Sequence, residues 1–300
     1  MKLQKYQNYF FIIPGLLVAL SIAAIMIWGL QPGIDLKGGS LLQVTYPDGR
    51  PALPELQAKV DTLDLGEVRV QASNVNDYVL RQRNLTQVEK QSLDAALSTF
   101  GNFTEVQFNS VGPSIGAELM QKAWWAIGLI VVLIISVIAF AFRGVSKPVA
   151  SWKYGVVAII TLIHDIIIPA GWFAYLGHTD GAEVGALFIV ALLTVLGISI
   201  NDTIVVFDRI RENLNLNNKY SKKEPFEDIV WRSIKQTLTR SINTSFTVII
   251  VLLALFFVGP DSTKDFALTL IIGMVAGTYS SILFASPLLV IIEKFQRRSK

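Results

Sequence analysis

Six runs of about 20 mostly apolar residues dominate the sequence, and that is the length a helix needs to cross a bilayer. They cover residues 9–30, 123–142, 154–176, 184–207, 241–258 and 266–292. Hydrocarbon offers no partner to a backbone N–H or C=O, so each run is read as a transmembrane helix. The first run is longer than the roughly 7–15 residues of a signal-peptide core. No small-x-small cleavage site precedes Gly33, so it is read as an uncleaved anchor. The sixth is long enough to tilt. Composition agrees, with 52% apolar and only 16% charged residues in 300, and a mean hydropathy of +0.50. The absence of cysteine removes disulfide frameworks, thiolate metal centres and cysteine nucleophiles.

Lysine and arginine placement sets the expected orientation. With a cytoplasmic N-terminus, most of the 26 basic residues fall inside. These include Lys2 and Lys5, then Arg143, Lys147 and Lys153. The loop after the fourth span adds Arg209, Arg211, Lys219, Lys222, Lys223, Arg232, Lys235 and Arg240, and the tail adds Lys294, Arg297, Arg298 and Lys300. The outer turns carry Asp180 and Glu183, then Asp261, Lys264 and Asp265. The net charge of +3 is thus explained by topology and gives no support to a nucleic-acid partner. The expected layout is a first transmembrane helix (1–30) and an extracytoplasmic domain (31–119). Helices 2–4 (120–207), a cytoplasmic loop (208–240), and helices 5–6 with a basic tail (241–300) follow.

The extracytoplasmic segment has its own periodicity. Residues 40–46, 67–72, 78–83 and 103–111 alternate as strands, whereas 54–63 and 86–100 have helical spacing. Thr86 and Glu89 stand at capping-box spacing. The order β-α-β-β-α-β predicts a small α+β ferredoxin-like domain, too small for a solute-capturing porter domain. In the cytoplasmic loop, Phe226, Val230, Ile234 and Leu238 recur at i, i+4. That spacing predicts an amphipathic helix, read as lying on the membrane surface.

No nucleotide-binding glycine motif is present: Lys37-Gly38-Gly39-Ser40 lacks the first glycine of a P-loop. The Asn-x-Ser/Thr strings at Asn84 and Asn102 are read as chance matches. The expectation is a non-enzyme without cofactor or metal. The informative residues are the few ionisable groups at membrane depth, each costing about 2.5–3.5 kcal/mol to insert. They are His164 and Asp165 in span three, Asp202 in span four, and Arg240 at the inner mouth of span five. Asp202 follows the outer start of its span by 18 residues, and Arg240 precedes the outer end of its own by the same number, which levels both at about 27 Å. An ionised Asp202 would attract Arg240 and a protonated one release it, the minimum needed to couple proton flow to motion. Ser199, Asn201 and Thr203 make a polar patch beside Asp202 that packing alone does not require. The His164-Asp165 pair reads equally as a relay or as a helix–helix hydrogen bond. Gly273 and Gly277 form a small-xxx-small pair suited to close helix packing.

Five strings resemble one family. They are residues 33–40 (GIDLKGGS), 111–116 (VGPSIG), His164-Asp165, residues 197–213 (GISINDTIVVFDRIREN) and residues 236–241 (QTLTRS). Together they resemble the SecF family of bacterial protein-export subunits, in the resistance-nodulation-division superfamily. Leu36 departs from the aromatic residue usual there, and the inner loop is a few residues longer. The resemblance implies a multi-pass protein of the bacterial plasma (inner) membrane with both termini cytoplasmic. It acts with SecD, and it uses the proton gradient, or sodium in its place, to pull or hold preproteins emerging from the SecYEG channel. It implies a proton-coupling set of Asp202, Arg240, Asn201, Asp165 and His164, and an ectodomain glycine motif of Asp35, Gly38 and Gly39. Two other readings stand. One is a proton-coupled small-molecule exporter of the same superfamily. The other is an aspartyl protease on Asp165 and Asp202, which lacks the Gly-x-Gly-Asp string such a site carries.

Overall fold

The computed structural model describes residues 9–73, 75–141, 149–221 and 224–298. Of the basic residues expected on the inner side, Lys2, Lys5, Arg143, Lys147, Lys222, Lys223 and Lys300 lie outside them. The chain divides into a membrane unit (1–30, 126–182, 187–300) and an extramembrane unit (31–125, 183–186).

In the extramembrane unit a short helix α2 (Ile34–Lys37) leads into β1 (Gly39–Thr45), α3 (Leu53–Asp61), β2 (Arg69–Ser73), β3 (Asp77–Gln82), α4 (Gln87–Ser98) and β4 (Thr104–Val111). The sheet order is β2-β3-β1-β4 with every neighbour antiparallel, the ferredoxin-like arrangement expected from the sequence. Leu42, Val44, Leu56, Val60, Leu80, Leu93 and Leu97 form one buried core between the sheet and its two helices. Tyr46 is buried with its hydroxyl on the Leu97 carbonyl at 3.2 Å, and burial pushes its pKa up to about 12. The Thr86–Glu89 capping box forms in full, satisfying two orphan N–H groups of α4. The Arg83 guanidinium, 2.5 Å from Glu89, then holds that carboxyl down to about 2.

The membrane unit holds α1 (Tyr9–Trp28), α5 (Pro113–Ala141), α6 (Ser151–Thr179), α7 (Ala186–Lys219), α8 (Phe226–Val258), α9 (Lys264–Ser280) and α10 (Ser286–Arg298); α5 and α7 have their first residues in the other unit. A single π turn, Ser281–Ala285, joins α9 to α10, so the sixth span is one broken helix. Among the described residues, six helical spans are long and apolar enough to cross a membrane, as expected. Two boundaries differ from the sequence reading. α5 starts at Pro113, where the missing N–H of proline costs a first turn nothing. The segment between the fourth and fifth spans is also mostly helix, because α7 runs on to Lys219 and α8 starts at Phe226. The apolar face of the amphipathic segment therefore does not lie on the membrane. Phe226, Val230 and Ile234 are buried in a cluster with Phe207, Ile210 and Leu214 of α7 and Tyr154 of α6, while Leu238 is exposed. A neighbouring helix removes the same area from water as a bilayer surface would.

Close approaches are made by glycine. A Cβ on Gly273 would lie 2.3 Å from Val195, and one on Gly277 would lie 3.0 Å from Ser199, so α9 presses directly on α7. At Gly171 of α6 a Cβ would lie 2.4 Å from the backbone of Ser21 in α1, whereas Gly128 has open space. Gly171→Ala is therefore expected to lower the melting temperature of the detergent-purified chain, with an overpacking cost of about 1–3 kcal/mol, and Gly128→Ala to leave it unchanged.

Because the Glu89 pKa lies below its unfolded value, its stabilising contribution is complete above about 4.5 and fades as pH falls toward about 2. Glu89→Gln is accordingly expected to lower the ectodomain melting temperature at pH 7, with the difference shrinking between pH 4.5 and 2.

Candidate functional site

The polar groups of the membrane unit converge where α6, α7, α8 and α9 meet. Asp165, near the middle of α6, is fully buried. One of its oxygens, Oδ1, is 2.7 Å from His164 Nδ1. The other, Oδ2, accepts from the Ser280 hydroxyl at 3.0 Å and from the Ser199 hydroxyl of α7. Tyr279 OH lies 2.6 Å from His164 Nε2, with the two rings edge-on at 5.3 Å. With the carboxylate as acceptor, this pattern assigns Nδ1 as the N–H of His164 and Nε2 as the acceptor from tyrosine. Pro169 adds polarity, since it cannot donate to the Asp165 carbonyl four residues back.

Asp202 of α7 is half-buried and differently held. Its Oδ1 accepts from the Ser241 hydroxyl of α8 at 2.5 Å. Its Oδ2 is buried without a hydrogen-bond partner, and the Ser281 hydroxyl acts on the carboxylate without meeting that geometry. The carboxylate borders a cavity of about 10 Å³ shared with Ser199, Ser245, Gly277 and Thr278. That is about the size one water needs, and the wall offers hydroxyls. Ser199 belongs to both places: its hydroxyl donates to Asp165 and its side chain lines the Asp202 cavity. The Thr278 and Ser245 hydroxyls are 2.7 Å apart on the same wall. Thr203, one turn below Ser199, is 3.1 Å from Ser281 in the π turn. A continuous series of polar groups thus runs from Tyr279 through His164, Asp165 and Ser199 to the Asp202 cavity.

Arg240 forms no salt bridge with Asp202 in this arrangement, although its charge reaches the carboxylate. The level was read correctly to within one residue, but successive helical residues are turned by about 100°. That rotation sets Ser241, not Arg240, against the carboxylate. Arg240 is exposed and lines a separate pocket of about 430 Å³ with Asp208, Arg209, Glu212, Gln236 and Thr237. Asp208 and Glu212 are themselves bonded to Arg211 and Arg209, each at 2.6 Å. Asn201 is exposed and is not among the residues lining the cavity. Tyr279, Ser280 and Ser241 were missed by sequence reasoning. Their only signal was the hydroxyl-rich string 278–281 (TYSS) in an apolar span, and a serine beside the basic residue.

The ectodomain motif works by close contact. Gly38, at φ +80°, packs so tightly that a Cβ would sit 2.7 Å from Pro113, and a Cβ on Gly116 would sit 2.5 Å from the Gly38 nitrogen. A Cβ on Gly39, at φ +146°, would meet the Gln82 carbonyl at 2.8 Å. Residues 33–40 and 111–116 therefore interlock within the extramembrane unit. Asp35 points elsewhere, its Oδ2 accepting from the Ala186 backbone N–H at 3.0 Å.

Comparison with known proteins decides the family. Residues 91–295 match the family of the protein export membrane protein SecD/SecF, C-terminal region. The protein translocase subunit SecF of Thermobaculum terrenum is 42% identical over 298 residues, covering 95% of this chain and 92% of that protein. That of Sebaldella termitidis is 34% identical, covering 100% and 94%. The chain belongs to the SecF family. Crystal structures of SecDF agree. That from Thermus thermophilus superposes with a TM-score of 0.84 at 31% identity, covering 98% of this chain, which spans 38% of that longer chain. A SecDF in a super-membrane-facing form gives 0.69 at 31% identity, covering 100% of this chain and 39% of the other. SecF membership makes the chain a multi-pass membrane subunit of the protein translocase.

The buried tyrosine–histidine bond is open to a direct test. Tyr279→Phe leaves His164 Nε2 unpaired, and His164→Ala removes both bonds. In a double-mutant cycle on melting temperature, the two changes are expected to be non-additive by about 0.5–3 kcal/mol. Strict additivity would show the bond to be energetically silent.

Proposed function

We propose that the chain is the SecF half of a SecD–SecF complex that draws on the proton gradient to complete preprotein export through SecYEG, with Asp202 as the residue that takes up and releases the proton. The observation that carries this reading is the half-satisfied carboxylate, with one oxygen on Ser241 and the other buried and unbonded, in a side chain that lines a water-sized cavity. A carboxylate serving only to pack helices would bond both oxygens, as Asp165 does. The series from Tyr279 to Ser199 offers a path of hydroxyl, imidazole and carboxylate groups for a proton to reach that cavity.

Arg240 acts as the alternating counter-charge. One residue separates it from Ser241, so turning α8 by about 100° exchanges hydroxyl for guanidinium against Asp202. In the present arrangement the guanidinium waits in the inner pocket. One charge crossing 100 mV is worth about 2.3 kcal/mol, which biases a two-state ectodomain by roughly fifty-fold. Solved SecDF forms at the same 31% identity give TM-scores of 0.84 and 0.69, which supports more than one shape for this architecture. Pairing with SecD is supported by a polar membrane face: Asn201, Arg240, Asn243, Thr244 and Thr247 are all exposed in α7 and α8. Such groups are costly against lipid, and SecD would cover them. The orientation follows the basic residues, with both termini cytoplasmic.

In membrane vesicles containing SecD, Asp202→Asn at normal abundance is expected to abolish the gradient-dependent part of export and leave the remainder. Export at the unaltered level would remove Asp202 from the mechanism. Arg240→Lys is expected to keep part of the activity, since charge is retained while the planar fork is lost. Replacing a proton gradient by a sodium gradient in the same vesicles distinguishes the coupling ion.

A further inference from the structure

Asp35 lies in the motif after the first span, yet its carboxylate is spent on the start of α7. Oδ2 accepts from the N–H of Ala186, the first residue of that helix. The first N–H groups of a helix have no intrahelical partner and carry the positive end of its dipole, so a carboxylate there is favourable twice over. The acceptor comes from 151 positions away in the chain, so this cap is a tertiary tie.

Three further contacts seat the same segment. Gly33 N–H donates to the Val184 carbonyl at 2.9 Å, and Val184 N–H donates to the Gln31 carbonyl at 2.7 Å, which makes a parallel bridge between Pro32 and Val184. Glu183 pairs with Arg81 of β3 at 3.4 Å, with both side chains largely buried. The glycines fit this seat. A Cβ on Gly33 would lie 3.2 Å from Glu183 Cβ, and one on Gly185 would lie 2.8 Å from Asp35 Oδ2. Residues 183–186 accordingly group with the extramembrane unit, although Ala186 begins the helix that carries Ser199 and Asp202.

We infer that Asp35 is a positioning residue: its cap on Ala186 ties the first residue of the proton-site helix to the ectodomain, so that displacement of either is passed to the other. This rests on the proposed role of Asp202. α7 runs unbroken from Ala186 past Asp202. A stiff helix held at its first residue passes on translation and rotation, whereas a loosely joined one would absorb them in the turn at 180–185.

The experiment uses the full chain with SecD in membrane vesicles and reads gradient-dependent and gradient-independent export separately. Asp35→Ala removes the cap. Gly185→Ala leaves Asp35 in place but forces its carboxylate away. Each is expected to cut the gradient-dependent part by about fivefold or more, the scale of losing a charged helix cap, with the gradient-independent part unchanged. The chain has no native cysteine, so Pro32→Cys with Val184→Cys gives one defined disulfide. The bridge sets these positions at neighbouring-strand distance, about 4.8 Å, within disulfide reach. Formed in the Asp35→Ala chain, the disulfide is expected to restore gradient-dependent export, and reduction to remove it again. A chain that merely needed Asp35 to fold would not be rescued reversibly. Undiminished export in both Asp35→Ala and Gly185→Ala overturns the inference, as does failure of the disulfide to rescue. So does a reductant-reversible block when the disulfide is formed in the otherwise unaltered chain, since the tie would then have to open. If Asp35→Ala does not accumulate, Gly185→Ala and the disulfide decide. The Asp202→Asn control separates the two claims, because a loss there with intact Asp35→Ala sinks only the tie, and intact export there sinks the proton role itself.

Discussion

Hydrocarbon cannot hydrogen-bond, and that single fact organises the polar interior of the membrane unit. A buried polar group without a partner costs about 1–3 kcal/mol, and a charged one costs more. Asp165 meets the demand completely, with His164, Ser199 and Ser280 around its two oxygens. Asp202 meets half of it. The two carboxylates are joined through Ser199 yet have opposite characters, one locked and one poised. Differing environments are what give two chemically identical groups different tasks. The proposed roles follow that division, with the locked member lining the path and the poised member taking up the proton.

Close backbone approach makes these bonds reachable. Serine hydroxyls are short, so α9 must come near to α7 before Ser280 can share Asp165 with Ser199. Gly273 and Gly277 supply that approach, as small residues do in membrane helices generally. The π turn at Ser281–Ala285 follows at once. Its first residue, Ser281, meets the Thr203 hydroxyl, and Ser286 donates to the Ser281 carbonyl at 3.1 Å. Insertions of this kind gather at functional sites because they redirect side chains without breaking the span.

The sequence carried the spans, the sheet order and the capping box plainly, because each follows from a period: unbroken apolarity for the spans, alternation for the strands, a three-residue offset for Thr86 and Glu89. It carried the level of Arg240 but not its direction. Counting residues gives depth along a helix, while azimuth depends on how neighbouring helices are rotated, which no single-helix pattern records. The amphipathic segment failed for a related reason. Its spacing states that one face is covered and does not state by what, and α7 covers it. Tyr279 and Ser280 were hidden because hydroxyl residues are unremarkable in spans until a carboxylate is known to lie opposite.

The offset between Ser241 and Arg240 bears on direction of movement. A guanidinium held permanently on Asp202 would stabilise its ionised form and leave nothing to exchange, whereas a serine alone could not compensate a charge. Adjacent residues on one helix offer both environments at one depth, separated by rotation and not by translation. Rotation needs no change in the length of apolar helix within the bilayer, so it avoids the cost of drawing Arg240 deeper or exposing more of α8 to water. Asp208 and Glu212 share the pocket of Arg240 while bonded to other arginines. Their charges are already offset by those arginines, so the pocket places carboxylates near the cation without committing either of them to it.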